Sequence, residues 1–456
     1  MNTLENTITT MGLLSKEAYN VGNFQIGAEI TANNQTYKVI DYVSTASDFQ
    51  ALLLQDKSGK FVMAFRGTEQ HSISDWLNDV SIGFKNINEQ YNDAKEFLEK
   101  AMKDYGVTID NLTLTGHSLG GILTQQVGAT YGIKGYAFNP YGTDRLLSLP
   151  QSPFDGITSN FLYGLLTSLA EKVMSAVGLT KANAQWAYEH IYNISYQDEG
   201  LLNGDILSNL ATELSSNHLG HFIPILGENV GFGEGHYMGT LNTAIAEYNE
   251  IVKKFDNSCR YEDITNMYLS TAIIHGNGYE KVKEEFTKLG VYGATDNSLH
   301  LNVITPTSSV TSIFSGSNLS VAELYALVNF NPFIVSNINS NAYSEIEKYR
   351  DEYSENYVSD KAKMFKALMD TPKVGSYYDD YETGKKISYY TSVTDPDSTD
   401  EYNLTDTAYT FGTNKNDIVT ASVGKANRIY TLAGDDRITL SSGSNYKFIN
   451  LNLLVA

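Results

Sequence analysis

Apolar runs and amphipathic stretches alternate along the first half of the chain. Residues 61–65 form a continuous apolar run, typical of a strand buried on both faces. Residues 91–105 carry apolar side chains at helical spacing, and the apolar segment 112–115 runs directly into Gly116. Further strands are predicted at 37–43, 49–55, 136–139 and 192–196. Because strands alternate with helices, the pattern predicts a mostly parallel sheet covered by helices on both faces.

A long segment between two predicted strands, residues 152–190, carries an apolar helical stripe. The stripe consists of Phe161, Leu162, Leu165, Leu166, Leu169, Val173 and Val177. Such a stripe is typical of a helix that covers a sheet. A helix that caps an acyl-binding cleft is the alternative interpretation.

The second half of the chain has a different texture. Residues 251–372 are rich in Tyr, Asn, Lys and Glu, with helix-like patterns at 321–328 and 360–369. Acidic, turn-rich segments follow. Beyond Thr405, short segments are separated by Gly, Asn and Asp residues. We therefore expect three regions: an α/β domain at 1–250, a mixed, partly helical region at 251–395 and a short β-rich segment at 396–456.

Composition excludes several classes of protein. The 456 residues include 32 Lys and Arg against 53 Asp and Glu, a net charge of −21, so nucleic acid is not an expected partner. The single cysteine, Cys259, excludes an intramolecular disulfide and a thiolate-rich metal site. The first residues lack the basic start and apolar run of a cleavable signal peptide. We therefore expect any export signal to lie elsewhere in the chain.

The most informative stretch is residues 112–121, which contains Gly-x-Ser-x-Gly at Gly116, Ser118 and Gly120. A strand that enters this motif and a helix that leaves it place the serine hydroxyl on a sharp turn, clear of the sheet. Both are predicted here, because an apolar strand precedes Gly116 and residues 122–132 continue as a helix. The pattern predicts a nucleophilic Ser118, and a tight structural turn is the alternative.

A nucleophilic serine needs a base, which in this chain order follows both the serine and the acid. His190, His218, His221 and His236 all come after Ser118 in the sheet-forming region. We favour His236, because the glycines around it suit a loop that projects a side chain. His221 lies in the loop-like segment 215–221 and is the alternative.

The acid should lie just past a strand. Asp205 follows the strand predicted at 192–196 and is our first choice. Asp198 is nearer to the end of that strand and is the competitor. Either residue has a plain structural interpretation as a loop or helix-cap aspartate.

The tetrahedral oxyanion needs two or more backbone donors. We expect the first to be the amide of Leu119, the residue after the nucleophile. The second should come from the loop that leaves the buried strand 61–65. In this loop Gly67 permits close backbone approach, and Thr68 adds a hydroxyl.

Three segments in this order resemble the class 3 lipase family of α/β-hydrolases: Phe-Arg-Gly-Thr at 65–68, Ser-Asp-Trp-Leu-Asn-Asp at 74–79 and Thr-Gly-His-Ser-Leu-Gly-Gly at 115–121. The resemblance covers roughly the first half of the chain. It implies an α/β-hydrolase fold with a mostly parallel central sheet. It also implies a serine esterase that acts on triacylglycerols, phospholipids or related acyl esters and requires no cofactor for catalysis.

The functional residues of that family have counterparts in this chain by resemblance. Ser118 matches the nucleophile, and Thr68 with Leu119 match the oxyanion donors. The segments around Asp205 and His236 resemble those that carry the family's acid and histidine. Residues 71–79 occupy the family's lid position, with an apolar side formed by Ile73, Trp76 and Leu77. The implied partner is a lipid or phospholipid substrate, reached by transient contact with a membrane or lipid surface.

A second resemblance lies at the C-terminal end. Residues 408–417 and 430–438 look like degenerate nonapeptide repeats of secreted RTX proteins, in which Gly and Asp of successive turns bind Ca²⁺ in a parallel β-roll. Only the turn at 434–436 is well formed, which implies at most a weak calcium site at Asp435 and Asp436. A short β-structured tail without calcium is the alternative.

The RTX resemblance also implies a location. Proteins of this kind leave a bacterium unfolded, through an uncleaved C-terminal signal, and are acidic and poor in cysteine. This chain shares the acidity and the low cysteine content. We therefore expect a secreted protein, and a cytoplasmic enzyme is the alternative.

The leading functional hypothesis is a serine ester hydrolase for lipids, a triacylglycerol lipase or a phospholipase of type A, with Ser118, His236 and Asp205 as a triad. One alternative is a non-enzymatic adhesin or interaction protein on a hydrolase scaffold, because a fold by itself assigns no function. Another is an esterase for non-lipid acyl esters.

Overall fold

The computed structural model of the protein describes residues 3–67, 73–140, 181–198, 219–228, 230, 234–316, 318–369, 377–387, 407–422, 425–440 and 445–448. At 3, 73–88, 181–185, 198 and 445–448 only the backbone is described. The chain forms two units. The first consists of Met1–Val252 with Arg260–Thr265, and the second of Lys253–Cys259 with Asn266–Ala456.

The first unit is built on an eight-stranded sheet, whose strands lie side by side in the order of the sequence. The strands are β1 Glu29–Ala32, β2 Gln35–Ser44, β3 Gln50–Asp56, β4 Phe61–Phe65, β5 Leu112–His117, β6 Gly135–Phe138, β7 Ile191–Asp198 and β8 His221–Gly227. Strands β1 to β4 pair in antiparallel fashion, and β4 to β8 are parallel. The predicted α/β fold class with a mostly parallel central sheet is confirmed.

Helices cover both faces of this sheet. They are α1 Thr3–Glu17, α2 Ile73–Tyr105, α3 Leu119–Tyr131, α4 Lys181–His190 and α5 Met238–Lys254. Leu112 and Leu114 pack into an apolar cluster with α2 and α3. The side chain of Thr115 donates to the Met11 carbonyl of α1 at 3.1 Å. Because successive side chains of a strand point to opposite faces, α1 lies on the face opposite α2 and α3.

The core of this unit explains why strand β4 is apolar on every residue. All five side chains of β4 are buried, with Phe65 fully enclosed. Leu98 of α2 and Ile122 of α3 pack in the same cluster as Phe65. Each such side chain contributes about 1.5–3 kcal/mol when fully buried, so the cluster fixes the ends of β4 and β5 side by side.

Two segments of this unit differ from the prediction or lie partly outside the described residues. His221, which we expected in a loop, is the first residue of strand β8, because residues 221–227 pair in parallel register with β7. Of the amphipathic segment 152–190, residues 152–180 lie outside the described part. The remainder forms α4, in which Ala187 packs with Ala129 of α3 and Ile191 of β7.

The second unit combines helices with small sheets. Its helices, apart from α6 Tyr261–His275 that begins in the first unit, are α7 Gly278–Leu289, α8 Val310–Ile313, α9 Val321–Asn329, α10 Asn341–Lys348 and α11 Glu355–Met369. Its strands are β9 His300–Val303, β10 Phe333–Ser336, β11 Tyr377–Asp380, β12 Lys386–Ile387, β13 Thr407–Phe411, β14 Ile418–Thr420, β15 Ala426–Tyr430, β16 Arg437–Thr439 and β17 Asn445–Phe448. The mixed, partly helical region and the β-rich C-terminal segment are therefore both present.

The C-terminal strands stack with a regular offset. Strands β11, β13, β15 and β17 run parallel in one sheet, and β14 pairs in parallel with β16 in another. Side chains join the turns at a separation of 19 residues: the Asp417 amide donates to Asp436 Oδ1, and the Asp435 amide donates to Asn416 Oδ1, both at 2.9 Å. This arrangement is a parallel stack of turns. Its resemblance to RTX repeats stays a prediction.

A buried ion pair ties helix α11 to strand β11. Lys361 Nζ donates to Asp380, and both side chains are fully buried. The rings of Phe330 and Phe411 lie 4.3 and 5.1 Å from the Lys361 nitrogen. Because breaking such a pair leaves an uncompensated charge in the core, losing one partner costs about 3–5 kcal/mol.

The turn after β5 gives a test of packing. A Cβ at Gly120 would lie 2.4 Å from the Phe65 carbonyl oxygen, whereas a Cβ at Gly239 of α5 would meet nothing within 4 Å. We expect Gly120→Ala to lower the free energy of unfolding by about 1–3 kcal/mol, because backbone must move. Gly239→Ala should leave it unchanged or raise it by up to about 1 kcal/mol.

Urea unfolding of the two variants beside the unchanged protein measures these differences. Equal stability of Gly120→Ala and Gly239→Ala would contradict the packing at this turn.

Candidate active site

Ser118 lies on a strained turn between β5 and α3. Its backbone has φ 55° and ψ −119°, which few non-glycine residues adopt. The Ser118 amide donates to the Phe138 carbonyl of β6 at 3.0 Å, and the Ser118 carbonyl accepts from the Gly121 amide at 3.0 Å. These bonds hold the turn from both sides and fix where the hydroxyl points.

Close contacts with neighbouring atoms require glycine at positions 116 and 121. A Cβ at Gly116 would lie 2.3 Å from the Gly120 carbonyl oxygen, and one at Gly121 would lie 2.7 Å from Cβ of Pro140. Strand β5 and helix α3 therefore approach each other more closely than any larger residue would allow.

His236 lies beside the serine. Its Nε2 is 3.0 Å from Ser118 Oγ, within hydrogen-bond distance, and both side chains are buried. His236 ends a single turn of 3₁₀ helix, Glu234–His236, just before α5. A Cβ at Gly235 would lie 2.6 Å from the Tyr196 ring, so the turn packs closely against β7. The arrangement is that of a nucleophile and its general base.

Two side chains hold the main chain of His236. Nδ2 of Asn139 donates to the carbonyls of Gly235 at 3.0 Å and His236 at 2.9 Å. Nε2 of His117 donates to the same His236 carbonyl at 2.7 Å. Asn139 has φ 40° and also accepts from the Tyr196 amide, so it is itself fixed between β6 and β7.

The other histidines considered in the sequence lie elsewhere. His221 Nε2 is 2.7 Å from Glu262 Oε1, in a partly exposed contact. The ring of His190 stacks on Trp186 at 4.5 Å between centroids. His218 lies outside the described residues. Among the four, the structure therefore brings His236 to the hydroxyl of Ser118.

The acid stays a prediction. Asp205 lies outside the described residues. Asp198 is the last residue of β7, and its side chain is not described. Both positions agree in chain order with an acid after a parallel strand.

Of the two predicted oxyanion donors, the structure describes Leu119 but not Thr68. Leu119 is the first residue of α3, where amides have no partner within the helix. Thr68 lies outside the described residues, but Gly67 before it is close to the serine: a Cβ there would lie 3.1 Å from Cβ of Ser118. The loop after β4 therefore begins beside the nucleophile. The predicted lid residues Ile73, Trp76 and Leu77 fall in α2, where only the backbone is described.

Burial lowers the pKa of both histidines of the site. Desolvation lowers the pKa of His117 to about 4, against a smaller opposing effect from its bond to the His236 carbonyl. Desolvation, and then the neighbouring His117, hold the pKa of His236 well below its usual range. Both imidazoles are therefore neutral near pH 7, the form that a general base requires.

Sequence reasoning missed three residues of this site. His117 and Asn139 anchor the histidine turn, and the Tyr19 hydroxyl lies 2.6 Å from His117 Nδ1. His117 was visible only as the variable residue of Gly-x-Ser-x-Gly. Asn139 is the last residue of a predicted strand, and its tolerance for positive φ was the one local signal. Nothing near Tyr19 marks it in the sequence.

The described residues offer neither a cluster of metal-ligating side chains nor a helix that could span a membrane. Within the described ranges, no three His, Cys, Asp or Glu side chains come together so that they could hold a metal ion. One Asp436 oxygen accepts from a backbone amide. The described residues at 435–436 thus do not supply the roughly six to eight oxygens that calcium prefers. A calcium site at Asp435 and Asp436 stays a prediction. None of the described helices combines the length and apolar character needed to span a bilayer.

Comparison with known families agrees with this geometry. Residues 10–146 match the family described as Phospholipase-like, Tle-like phospholipase domain. The match includes Ser118 and the turn after β5. The first unit therefore contains a segment that is similar to phospholipase-like domains.

Solved structures similar to this chain are distant in sequence. EstE1, a thermostable carboxylesterase cloned from a metagenomic library, is 12% identical, with 54% of this chain and 95% of that chain covered and a TM-score of 0.23. The capsule O-acetyltransferase of Neisseria meningitidis serogroup A is 10% identical over 51% and 98%, at 0.23. Extracellular lipase LipA from Serratia marcescens is 14% identical over 94% and 51%, at 0.20. No curated protein matches the chain in sequence.

The buried histidines of the first unit predict a pH dependence of stability. The unfolded chain binds a proton at each histidine near pH 6.5. Folded His117 does so only at about 4, so the unfolded state binds more protons as the pH falls between these values. The free energy of unfolding should therefore be highest above pH 6.5 and decrease towards pH 4.

His117→Gln isolates this effect. Urea unfolding at pH 7 and pH 5 should show a smaller loss of stability in the variant than in the unchanged protein. The same loss in both would mean that His117 contributes nothing to the pH dependence.

Proposed function

We propose that the protein is a serine carboxylic-ester hydrolase that acts on lipids, as a triacylglycerol lipase or a phospholipase of type A. The observation that supports it most directly is the 3.0 Å contact between His236 Nε2 and Ser118 Oγ. A serine on a strained strand-to-helix turn with a neutral imidazole in reach is the arrangement for acyl transfer.

In the proposed reaction, His236 Nε2 takes the proton of the Ser118 hydroxyl as the oxygen attacks the ester carbonyl. The tetrahedral oxyanion forms next to the start of α3, where the amide of Leu119 donates, and the loop after Gly67 provides the second donor through Thr68. His236 then gives its proton to the leaving alcohol. A water molecule, deprotonated by the same imidazole, releases the fatty acid from Ser118.

The low pKa of His236 makes the acid important. Burial disfavours the imidazolium that forms in each tetrahedral step. A carboxylate on the other side of the ring would stabilise that cation and hold Nδ1 protonated. Asp205 is the proposed residue, with Asp198 as the alternative.

The choice of lipid as substrate has its own support. The matched family is described as phospholipase-like. The segment at the family's lid position, 71–79, carries the apolar side chains Ile73, Trp76 and Leu77. An apolar lid next to an acyl cleft fits a substrate presented at a lipid surface. Secretion from a bacterium through an uncleaved C-terminal signal stays a prediction.

Replacing the proposed nucleophile and base gives the first test. Ser118→Ala should lower kcat on p-nitrophenyl esters by about 10⁴-fold or more, and His236→Ala by a similar factor, because the two act as a unit. Ser58→Ala, in the exposed turn after β3, is the matched control and should keep full activity. His221→Ala should also keep it.

Further outcomes separate the alternatives. Retained turnover in folded Ser118→Ala, or no labelling of Ser118 by a fluorophosphonate in the unchanged protein, would favour an interaction protein on a hydrolase scaffold. Activity on soluble esters with none on phosphatidylcholine vesicles or triacylglycerol emulsions would favour an esterase for non-lipid substrates.

The acid can be assigned by a parallel pair of variants. We expect Asp205→Asn to lower kcat by about 10⁴-fold, because the amide no longer stabilises the imidazolium, and Asp198→Asn to have little effect. Steady-state kinetics with p-nitrophenyl esters measures both. The reverse result would assign the acid to Asp198, and two fully active variants would exclude both.

A further inference from the structure

We propose that His117, the residue before the nucleophile, is a positioning residue for the base: its imidazole, held by Tyr19 in one tautomer, fixes the main chain of His236 so that the His236 ring faces Ser118. The proposal rests on the proposed function, since it concerns the rate of the same reaction. His117 itself has no role in bond making in this account.

The partners of His117 decide where its proton lies. Nε2 is 2.7 Å from the His236 carbonyl oxygen, which can only accept, so Nε2 carries the hydrogen. Nδ1 is 2.6 Å from the Tyr19 hydroxyl, which therefore donates to it. One hydroxyl and one carbonyl thus select a single neutral tautomer of a buried ring.

The contact acts on the backbone of the base. The His236 carbonyl receives His117 Nε2–H and also the Asn139 amide, at 2.7 and 2.9 Å. These donors come from the end of β5, the strand that enters the turn at Ser118, and from the residue after β6, its neighbour in the sheet. With the carbonyl held from two directions, the Cα of residue 236 has little freedom, and the direction of its side chain follows.

The network also reaches the other side of the serine. A Cβ at Gly67 would lie 2.4 Å from the Tyr19 hydroxyl oxygen and 2.5 Å from the His117 carbonyl oxygen. Tyr19 therefore packs against the start of the loop that carries the proposed second oxyanion donor. The 3₁₀ helix Ala18–Asn23, which holds Tyr19, therefore contacts both His117 and the start of the loop after β4.

A purely structural role would have different consequences. A structural histidine contributes to stability, and any well-packed replacement that folds would restore activity. A positioning histidine acts through one hydrogen bond at one atom. Because a displacement of the base by about 1 Å can cost around 100-fold in rate, loss of that bond should appear in kcat.

Glutamine and asparagine separate these roles. The amide nitrogen of glutamine reaches the place of imidazole Nε2, and that of asparagine reaches the place of Nδ1. His117→Gln therefore keeps a donor for the His236 carbonyl, and His117→Asn keeps only a group near Tyr19. The exposed His300, which pairs with Asp256 in the second unit, provides the control variant His300→Asn.

The experiment measures kcat and KM of the full chain on p-nitrophenyl esters, with the rate of fluorophosphonate labelling of Ser118 and thermal unfolding in parallel. We expect His117→Asn to lower kcat and the labelling rate by about 10- to 100-fold with KM changed by less than about 3-fold. His117→Gln should stay within about 5-fold of the unchanged protein, and His300→Asn should equal it.

Two results would overturn the proposal: folded His117→Asn with full kcat, or His117→Gln with a loss as large as that of His117→Asn. If neither variant folds, Tyr19→Phe decides. It keeps the ring volume and removes the hydroxyl, so a severalfold lower kcat at constant KM supports the proposal and an unchanged kcat contradicts it. Failure of the proposed function is distinct, because Ser118→Ala would then stay active and the unchanged protein would not be labelled.

Discussion

The close contact of backbones at the end of β5 is the constraint on which the site depends. Ser118 has a positive φ in a turn where the Gly116 and Gly120 backbones lie in close contact and Gly120 lies against the carbonyl of Phe65. The cost of that backbone, of order 1–3 kcal/mol, is offset by the apolar core that fixes β4 and β5 beside each other. The strain places the hydroxyl above the sheet, where a base can reach it.

His236 is positioned by its main chain as much as by its side chain. His236 belongs to a single 3₁₀ turn, which has few hydrogen bonds of its own. The side chains of His117 and Asn139 supply anchors from two neighbouring strands. Each anchor is buried, and a buried donor without its acceptor would cost about 1–3 kcal/mol. The same bonds that stabilise the fold therefore set the distance between His236 and Ser118.

The second unit is organised by a different set of contacts. Its helix α11 carries Lys361 into an aromatic cluster, where Asp380 neutralises it. Its C-terminal strands stack in parallel, with Asn416 and Asp436 bonded to the backbone of a neighbouring turn. Side-chain-to-backbone bonds of this kind satisfy amides that lie outside the strand pairing. They give the tail an internal order that its Gly- and Asn-rich sequence only suggests.

Local pattern was sufficient for most of the central sheet. An apolar run such as 61–65 has one stable solution, a strand enclosed on both faces, and the glycines around Ser118 admit few turns other than the one observed. Strand β8 was missed, because His221 and Pro224 interrupt its apolar character and its pairing with β7 is a contact between distant segments. The lid, the acid and the tail's resemblance to exported proteins rest on sequence alone.

The sequence by itself predicted the proposed nucleophile, since a strand, a glycine-flanked serine and a helix are all encoded within a few neighbouring residues. It limited the candidates for the proposed base to four histidines, among which the surrounding glycines favoured His236. Tertiary structure decided that His236, and not His221, lies beside Ser118. It also decided the contacts of Tyr19, His117 and Asn139. These residues lie about a hundred positions from their partners, and only the packed core brings such distant groups within hydrogen-bond distance.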